Sequence, residues 1–269
     1  MRFPELSYAN PNDPLWKQQL VHWIENFSGR DDYVDAYERW KHNSFGRSAH
    51  VFADMLKEIQ VDLQLSGQMP EQIAQSEKLV IVANHPFGIG DGIAILSLAE
   101  RFGRPFRILI NKDLLKIPEM REYALPVSFD EDKSALKLNA QTARNAVERL
   151  NNGEIIVIFP SGGVATSPNG FGKAEDLPWK TFTAKMIQSA RADVLPVYFE
   201  GQNGRLFQLV SQFSITLRLA LLVHEFCNLR GKGIKAWVGG VIPWDTLAAQ
   251  GDRRELTQYL HQQVFDLKG

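Results

Sequence analysis

Leu79-Val80-Ile81-Val82-Ala83 runs directly into Asn84-His85-Pro86-Phe87-Gly88-Ile89-Gly90-Asp91-Gly92, and then into Ile93-Ala94-Ile95-Leu96. Five apolar residues with no polar alternation read as a strand buried on both faces. The glycines and the proline make the next stretch a sharp loop, and the apolar run after it opens a helix. The same texture recurs downstream. Arg107–Ile110, Ile155–Phe159, Val194–Phe199 and Ile234–Val238 read as further strands. Helical patterns lie between and after them, near 92–102, 139–151, 180–191, 206–227 and 252–265. Apolar strands alternating with helices define an α/β protein with a mixed, mostly parallel central sheet covered by helices on both faces.

Upstream the pattern differs. Residues 14–64 read as helices broken at Ser28-Gly29-Arg30 and Ser44-Phe45-Gly46. Leu15, Leu20, Val21, Trp23 and Ile24 recur at helical spacing, as do Ala49, Val51, Phe52, Met55, Leu56 and Ile59. The expected division is an N-terminal helical subdomain over 1–70 and a main domain over 71–269. The helical part is either a packing element or a lipid-facing cap.

Composition limits the function classes. The chain has 269 residues, 44% apolar and 23% charged, with 30 basic residues against 31 acidic ones. That balance does not point to nucleic acid. The single cysteine, Cys227, permits no intrachain disulfide and fits a reducing compartment; its apolar neighbours predict an inert, buried thiol. No Cys/His cluster offers a metal site. Met1 to Asp13 lacks a basic stretch followed by an apolar one, and no run of about 18 apolar residues predicts a spanning helix. The expectation is a chain that is soluble or lies on a membrane surface.

In sheets of this type, reactive loops gather at the carboxyl ends of strands. There, His85 and Asp91 flank one tight loop. An imidazole can take the proton of an attacking hydroxyl, and a carboxylate on the other ring nitrogen fixes the tautomer and stabilises the imidazolium. Taken singly, a satisfied core histidine and a helix N-cap would explain the two residues. Together in a glycine-rich loop after a buried strand, they point to catalysis. A dinucleotide fingerprint fails because Ile93 stands where the last glycine is required.

The run Asn84 to Gly92 resembles the first motif of the lysophospholipid (glycerolipid) acyltransferase superfamily. Five residues separate His85 from Asp91 in place of the usual four, as in a hemolysin-like bacterial branch. The resemblance implies an acyltransferase with His85 as base, Asp91 as its partner and Asn84 at the substrate. It spans about 79–245. Asn111-Lys112-Asp113-Leu114-Leu115-Lys116-Ile117-Pro118 is similar to the element that follows the first motif; Lys112, at a strand end, is a candidate to meet an anionic head group. Leu125 to Asp132 stands where the second motif usually carries an arginine, and it has none. Pro160-Ser161-Gly162-Gly163 resembles the third motif with serine in the glutamate position. Its backbone N–H groups are candidate oxyanion donors around Gly162 and Gly163. Val194 to Asn203 resembles the fourth motif, with Asn203 at the substrate.

Residues 206–227 carry an apolar stripe at 206, 209, 210, 213, 217, 220 and 221, flanked or interrupted by Arg205, Arg218, Arg230, Lys232 and Lys235. Such a helix lies either in a bilayer interface or in the core.

The resemblance implies a co-substrate rather than a bound cofactor: acyl-CoA, or an acyl or aminoacyl carrier protein, delivering to a hydroxyl of a membrane lipid. The implied location is the cytoplasm, peripheral on the inner membrane. One branch of the superfamily moves glycine from a carrier protein to lipid A, so a glycyl donor stays open. Two other classes also stay open. One is a non-catalytic module that binds lipid or carrier protein. The other is a serine hydrolase built on Ser161, although Phe159 breaks the G-x-S-x-G pattern.

Overall fold

The computed structural model describes residues 3–7, 14–27, 29–69, 76–130, 132–213 and 215–268. The chain opens with helices α1 (Leu15–Phe27), α2 (Arg30–Asn43) and α3 (Val51–Glu58). The side chain of Leu20, part of the apolar spacing in α1, lies outside the described residues. Strand β1 (Asp62–Gly67) follows, then β2 (Leu79–Ala83), α4 (Ile89–Glu100), β3 (Phe106–Asn111), β4 (Ala124–Val127) and α5 (Lys133–Asn151). The second half runs β5 (Ile155–Ile158), α6 (Phe182–Ala190), β6 (Asp193–Glu200), α7 (Arg205–Val210), α8 (Ile215–Cys227), β7 (Gly233–Val238), α9 (Trp244–Ala248) and α10 (Arg253–Phe265).

The strands form one seven-stranded sheet in the order β1-β7-β6-β2-β5-β3-β4. Every neighbouring pair is parallel except β6 and β7. The carboxyl ends of β2, β3, β5 and β6 therefore emerge on one edge of the sheet. This is the mixed, mostly parallel α/β architecture expected.

Strand β2 shows why its sequence is unbroken apolar. Leu79, Ile81 and Ala83 point into a core shared with α2, α3 and α4, while Val80 and Val82 point into a second core under α5, α6 and α10. Side chains alternate across a strand, so a strand covered on both faces needs apolar residues at every position. Helices α2 and α3 share the first of these cores. Val34, Tyr37, Trp40, Phe52 and Met55 cluster with Ile81, Ile95 and Val157.

Two expectations are corrected, and a third falls outside the described residues. Residues 62–64 belong to β1, an edge strand paired with β7, not to a helix. The boundary placed at 70–71 lies outside the described residues. The single helix expected over 206–227 is two, α7 and α8. After Val210 the backbone tightens: the N–H groups of Gln212 and Phe213 donate three residues back to Leu209 and Val210, and Ser211 Oγ donates to the Phe207 carbonyl at 2.6 Å. Such back-bonding of a serine competes with regular helix continuation. The apolar stripe is accordingly divided: Ala220 and Leu221 are buried, whereas Leu206 and Phe213 are exposed.

Candidate active site

Asn84 follows β2 directly and opens the loop. Its side-chain amide donates to the Phe199 carbonyl at 2.9 Å and accepts from the Phe199 N–H at 2.7 Å. A buried amide used in both senses locks β2 to β6. This pairing gives Asn84 a positioning task.

His85 is next. Its Nδ1 lies 2.9 Å from Asp91 Oδ1. The approach is off the line of a well-aligned hydrogen bond, and neither atom has another hydrogen-bond partner among the described residues. Catalytic hydrogen bonds are often poorly aligned before substrate binds. Asp91 is fully buried, and its Oδ2 accepts from the Phe87 N–H at 2.8 Å. It stands in the first turn of α4 but does not cap it; Gly88 holds that position. Its carboxylate folds back over the loop and tethers it. The His85 side chain keeps 17% exposure while its Nδ1 is buried, so the accessible part of the ring lies away from Asp91. Phe159, at the end of neighbouring β5, stacks on the imidazole with ring centroids 4.0 Å apart.

A residue not singled out from the sequence completes the support. Asp176 Oδ1 accepts from the His85 backbone N–H at 3.1 Å, and its Oδ2 accepts from Trp179 Nε1 at 2.9 Å. Burial raises the Asp176 pKa above the usual carboxylate value, while these two donors favour the ionised form. The signal was faint: an acid two residues before Pro178, in a loop between elements.

The third loop meets the first because β5 neighbours β2. Ala165 N–H donates to the His85 carbonyl at 2.8 Å. Gly162 takes a positive φ of 68°, and its N–H turns back to the Phe159 carbonyl. That donor is engaged within its own turn. The Gly163 and Val164 N–H groups have no protein partner among the described residues. Ser161 is buried, and its hydroxyl donates to the Gly163 carbonyl at 2.9 Å. It makes no hydrogen bond to His85.

Lys112 and Asn203 stand apart. β3 is separated from β2 by β5, and Lys112 Nζ pairs at 2.5 Å with Asp130 Oδ2, beyond the end of β4. This ion pair raises the lysine pKa and lowers that of the aspartate. Asn203 is buried after β6 with its Nδ2 unpartnered among the described residues. Its carbonyl accepts from Gln208 Nε2 at 3.3 Å, and Gln208 Oε1 accepts from the Ser167 N–H, which ties the third and fourth loops together. Two open surface hollows, one at Thr181, Gln188 and Asp252 and the other at Ser76, Arg104 and Gly153, do not adjoin His85.

A histidine held by a buried carboxylate, at the edge where four parallel strand ends converge, is the constellation of a hydroxyl-activating transferase. The acyltransferase family profile matches residues 59–269. The chain belongs to this acyltransferase family, within the lysophospholipid acyltransferase superfamily expected from its motifs, and is an acyltransferase. It is 27% identical over 205 residues to a lyso-glycine lipid O-acyltransferase of Phocaeicola vulgatus, covering 73% of this chain and 71% of that protein. It is 27% identical over 216 residues to a lyso-glycine lipid O-acyltransferase of Bacteroides thetaiotaomicron, covering 77% and 76%. Its fold is similar to that of a 1-acyl-sn-glycerophosphate acyltransferase from Thermotoga maritima, with a TM-score of 0.52, 16% identity and 94% coverage of both chains.

Proposed function

We propose that the protein transfers an acyl group from a thioester to a hydroxyl of a lyso-lipid at a membrane surface, with His85 as general base and Asp91 as its partner. The carrying observation is the 2.9 Å approach of His85 Nδ1 to fully buried Asp91 beside an accessible imidazole edge. The neutral imidazole takes the acceptor's hydroxyl proton at Nε2 as the oxygen attacks the thioester carbon. The tetrahedral intermediate collapses, the C–S bond breaks, and the thiolate leaves with the proton from the imidazolium. Free N–H groups at Gly163 and Val164 are the candidate oxyanion donors. The buried, self-satisfied Ser161 hydroxyl favours direct attack by the acceptor over an acyl-enzyme.

The name lyso-glycine lipid O-acyltransferase, carried by both relatives, supports a lyso-lipid acceptor here. The surface supports a bilayer as the place of encounter. No helix among the described residues is long and apolar enough to cross a membrane. Yet Leu15 and Trp23 on α1, and Leu206 and Phe213 at α7, are exposed on elements that both pack on α8. Phe171, 70% exposed, sits on the loop that touches Leu209 of α7. Exposed large apolar side chains on these elements are candidates for contact with a bilayer. A cytoplasmic, peripheral position on the inner membrane, with acyl-CoA or a carrier protein as donor, fits this arrangement.

The test is a mixture of purified protein, a thioester donor and vesicles carrying a lyso-lipid, with thiol release and lipid mass followed together. Fatty-acyl and glycyl donors, each on CoA and on carrier protein, identify the transferred group. Thiol release that requires the acceptor and matches ester formation is expected. Equal release without acceptor marks a hydrolase, and lipid binding with no release from any donor marks a binding module.

A further inference from the structure

We infer that Arg218, with Lys180, forms the seat for an anionic group on the acceptor lipid; this rests on the transferase reading above. The second motif lacks its usual arginine, and Lys112, the lysine expected to serve a head group, is neutralised by Asp130. A cation for an anionic acceptor must come from elsewhere.

Arg218 lies in the first half of α8, one turn before Leu222 on the same face. Leu222 packs with Val164, and both contact the position of Gly88 in the His85–Asp91 loop. Arg218 Nη2 donates to the Val164 carbonyl at 2.7 Å, one residue before the N–H that holds the His85 carbonyl. The guanidinium is half-buried, stacks at 5.8 Å over Phe207 and has no carboxylate partner among the described residues. Burial lowers its pKa, and no acidic neighbour offsets this. Buried cations are ordinarily paired. An arginine left with free, planar donors is shaped for a carboxylate or phosphate.

A second cation faces the same turn. A Cβ placed on Gly163 would lie 3.9 Å from Arg218 Nη2, and one on Gly162 would lie 3.7 Å from Lys180 Nζ. Lys180 is exposed, rests 4.4 Å over the Phe129 ring and has no carboxylate partner among the described residues. The turn at Ser161-Gly162-Gly163 has no acidic side chain, and two unpaired cations flank it. An acceptor whose hydroxyl reaches His85 would set its anion between them. An anionic head group is therefore selected over a neutral one.

The experiment compares Arg218→Gln, Arg218→Lys and Lys180→Gln with the wild-type chain on three lyso-lipids of one chain length: a carboxylate, a phosphate monoester and an uncharged alcohol. Arg218→Gln is expected to lower the ratio of kcat/KM for anionic over neutral acceptor about ten- to a hundredfold, the worth of one charge-assisted bond in a partly dry site. Arg218→Lys should recover part of that ratio and Lys180→Gln lose less of it. Whichever anionic acceptor suffers more identifies the chemistry. A ratio unchanged while both rates fall overturns the assignment in favour of a structural arginine. A rise confined to the KM of a CoA donor overturns it in favour of the donor's phosphates. Binding of the carboxylate and phosphate lyso-lipids to His85→Ala protein, with and without Arg218→Gln, is measured in parallel. If no thioester is turned over by the wild type, the transferase reading fails, and the binding comparison still decides the seat: a tenfold weakening supports it, and equal affinity rejects it.

Discussion

Asp91→Asn removes one negative charge from a fully buried side chain and leaves its shape. Its Oδ2 accepts the Phe87 N–H, and an amide oxygen can continue to do so. The bond changes from charge-assisted to neutral, a loss of about 1 kcal/mol, and relief from burying a carboxylate offsets part of it. Stability should therefore shift by no more than about 1 kcal/mol in urea unfolding. The consequence at His85 is larger. The new amide NH2 would face Nδ1 and donate to it, which moves the imidazole proton to Nε2 and abolishes the lone pair the hydroxyl needs. In a carboxylate–histidine pair of this kind, the wrong tautomer costs up to about 10⁴ in rate. General-base help as a whole is worth about 10²–10⁴. Because the 2.9 Å approach is off-line, the expected fall in kcat is about 10²–10³, or about 3–4 kcal/mol of barrier. The assay is initial-rate ester formation at saturating donor and acceptor, beside the unfolding curve. Activity within threefold of wild type, with the fold intact, would refute the tautomer-holding role.

Other perturbations probe the loops and the surface. Gly201 follows β6 at φ +130°, and a Cβ there would come within 2.3 Å of Phe87 Cζ, so Gly201→Ala should cost about 2–4 kcal/mol and displace the residue whose N–H tethers Asp91; calorimetry and kcat report the two effects. Cys227 has its thiol pKa pushed up to about 11, chiefly by burial, so thiol reagents at pH 7.5 should modify it at least about tenfold more slowly than free cysteine, as read by intact mass. Leu206→Glu combined with Phe213→Glu should weaken vesicle flotation about tenfold or more, while turnover of a detergent-dispersed acceptor is retained; unchanged flotation would move the membrane contact elsewhere.

The parts of this structure that were legible are local ones. The strand Leu79–Ala83 announces itself because both faces are covered, and His85 and Asp91 are close in sequence, so one loop suffices to join them. Edge strands escape that reading. Asp62–Gly67 is half polar because one side meets solvent, and Ala124–Val127 contains Pro126, which a sheet tolerates at its edge. The continuous apolar stripe after Leu206 concealed the break between α7 and α8, since periodicity does not register a serine bonding back to the preceding turn. Asp176 meets His85 across 91 residues, and Arg218 meets Val164 across 54. Such pairings follow from strand order, β6-β2-β5, which no single segment encodes. Motif position alone does not give the partners of these side chains and N–H groups. Asn84 serves Phe199, Gly162 spends its N–H within its own turn, and Lys112 answers Asp130.

Ester synthesis by His85→Ala, set beside the wild type on identical vesicles and with the same thioester, bears most directly on the imidazole's role. Both proteins must first display the same cooperative unfolding. The lipid product should then drop by at least about a hundredfold in the variant. Product formed at a comparable rate without the imidazole would contradict the account.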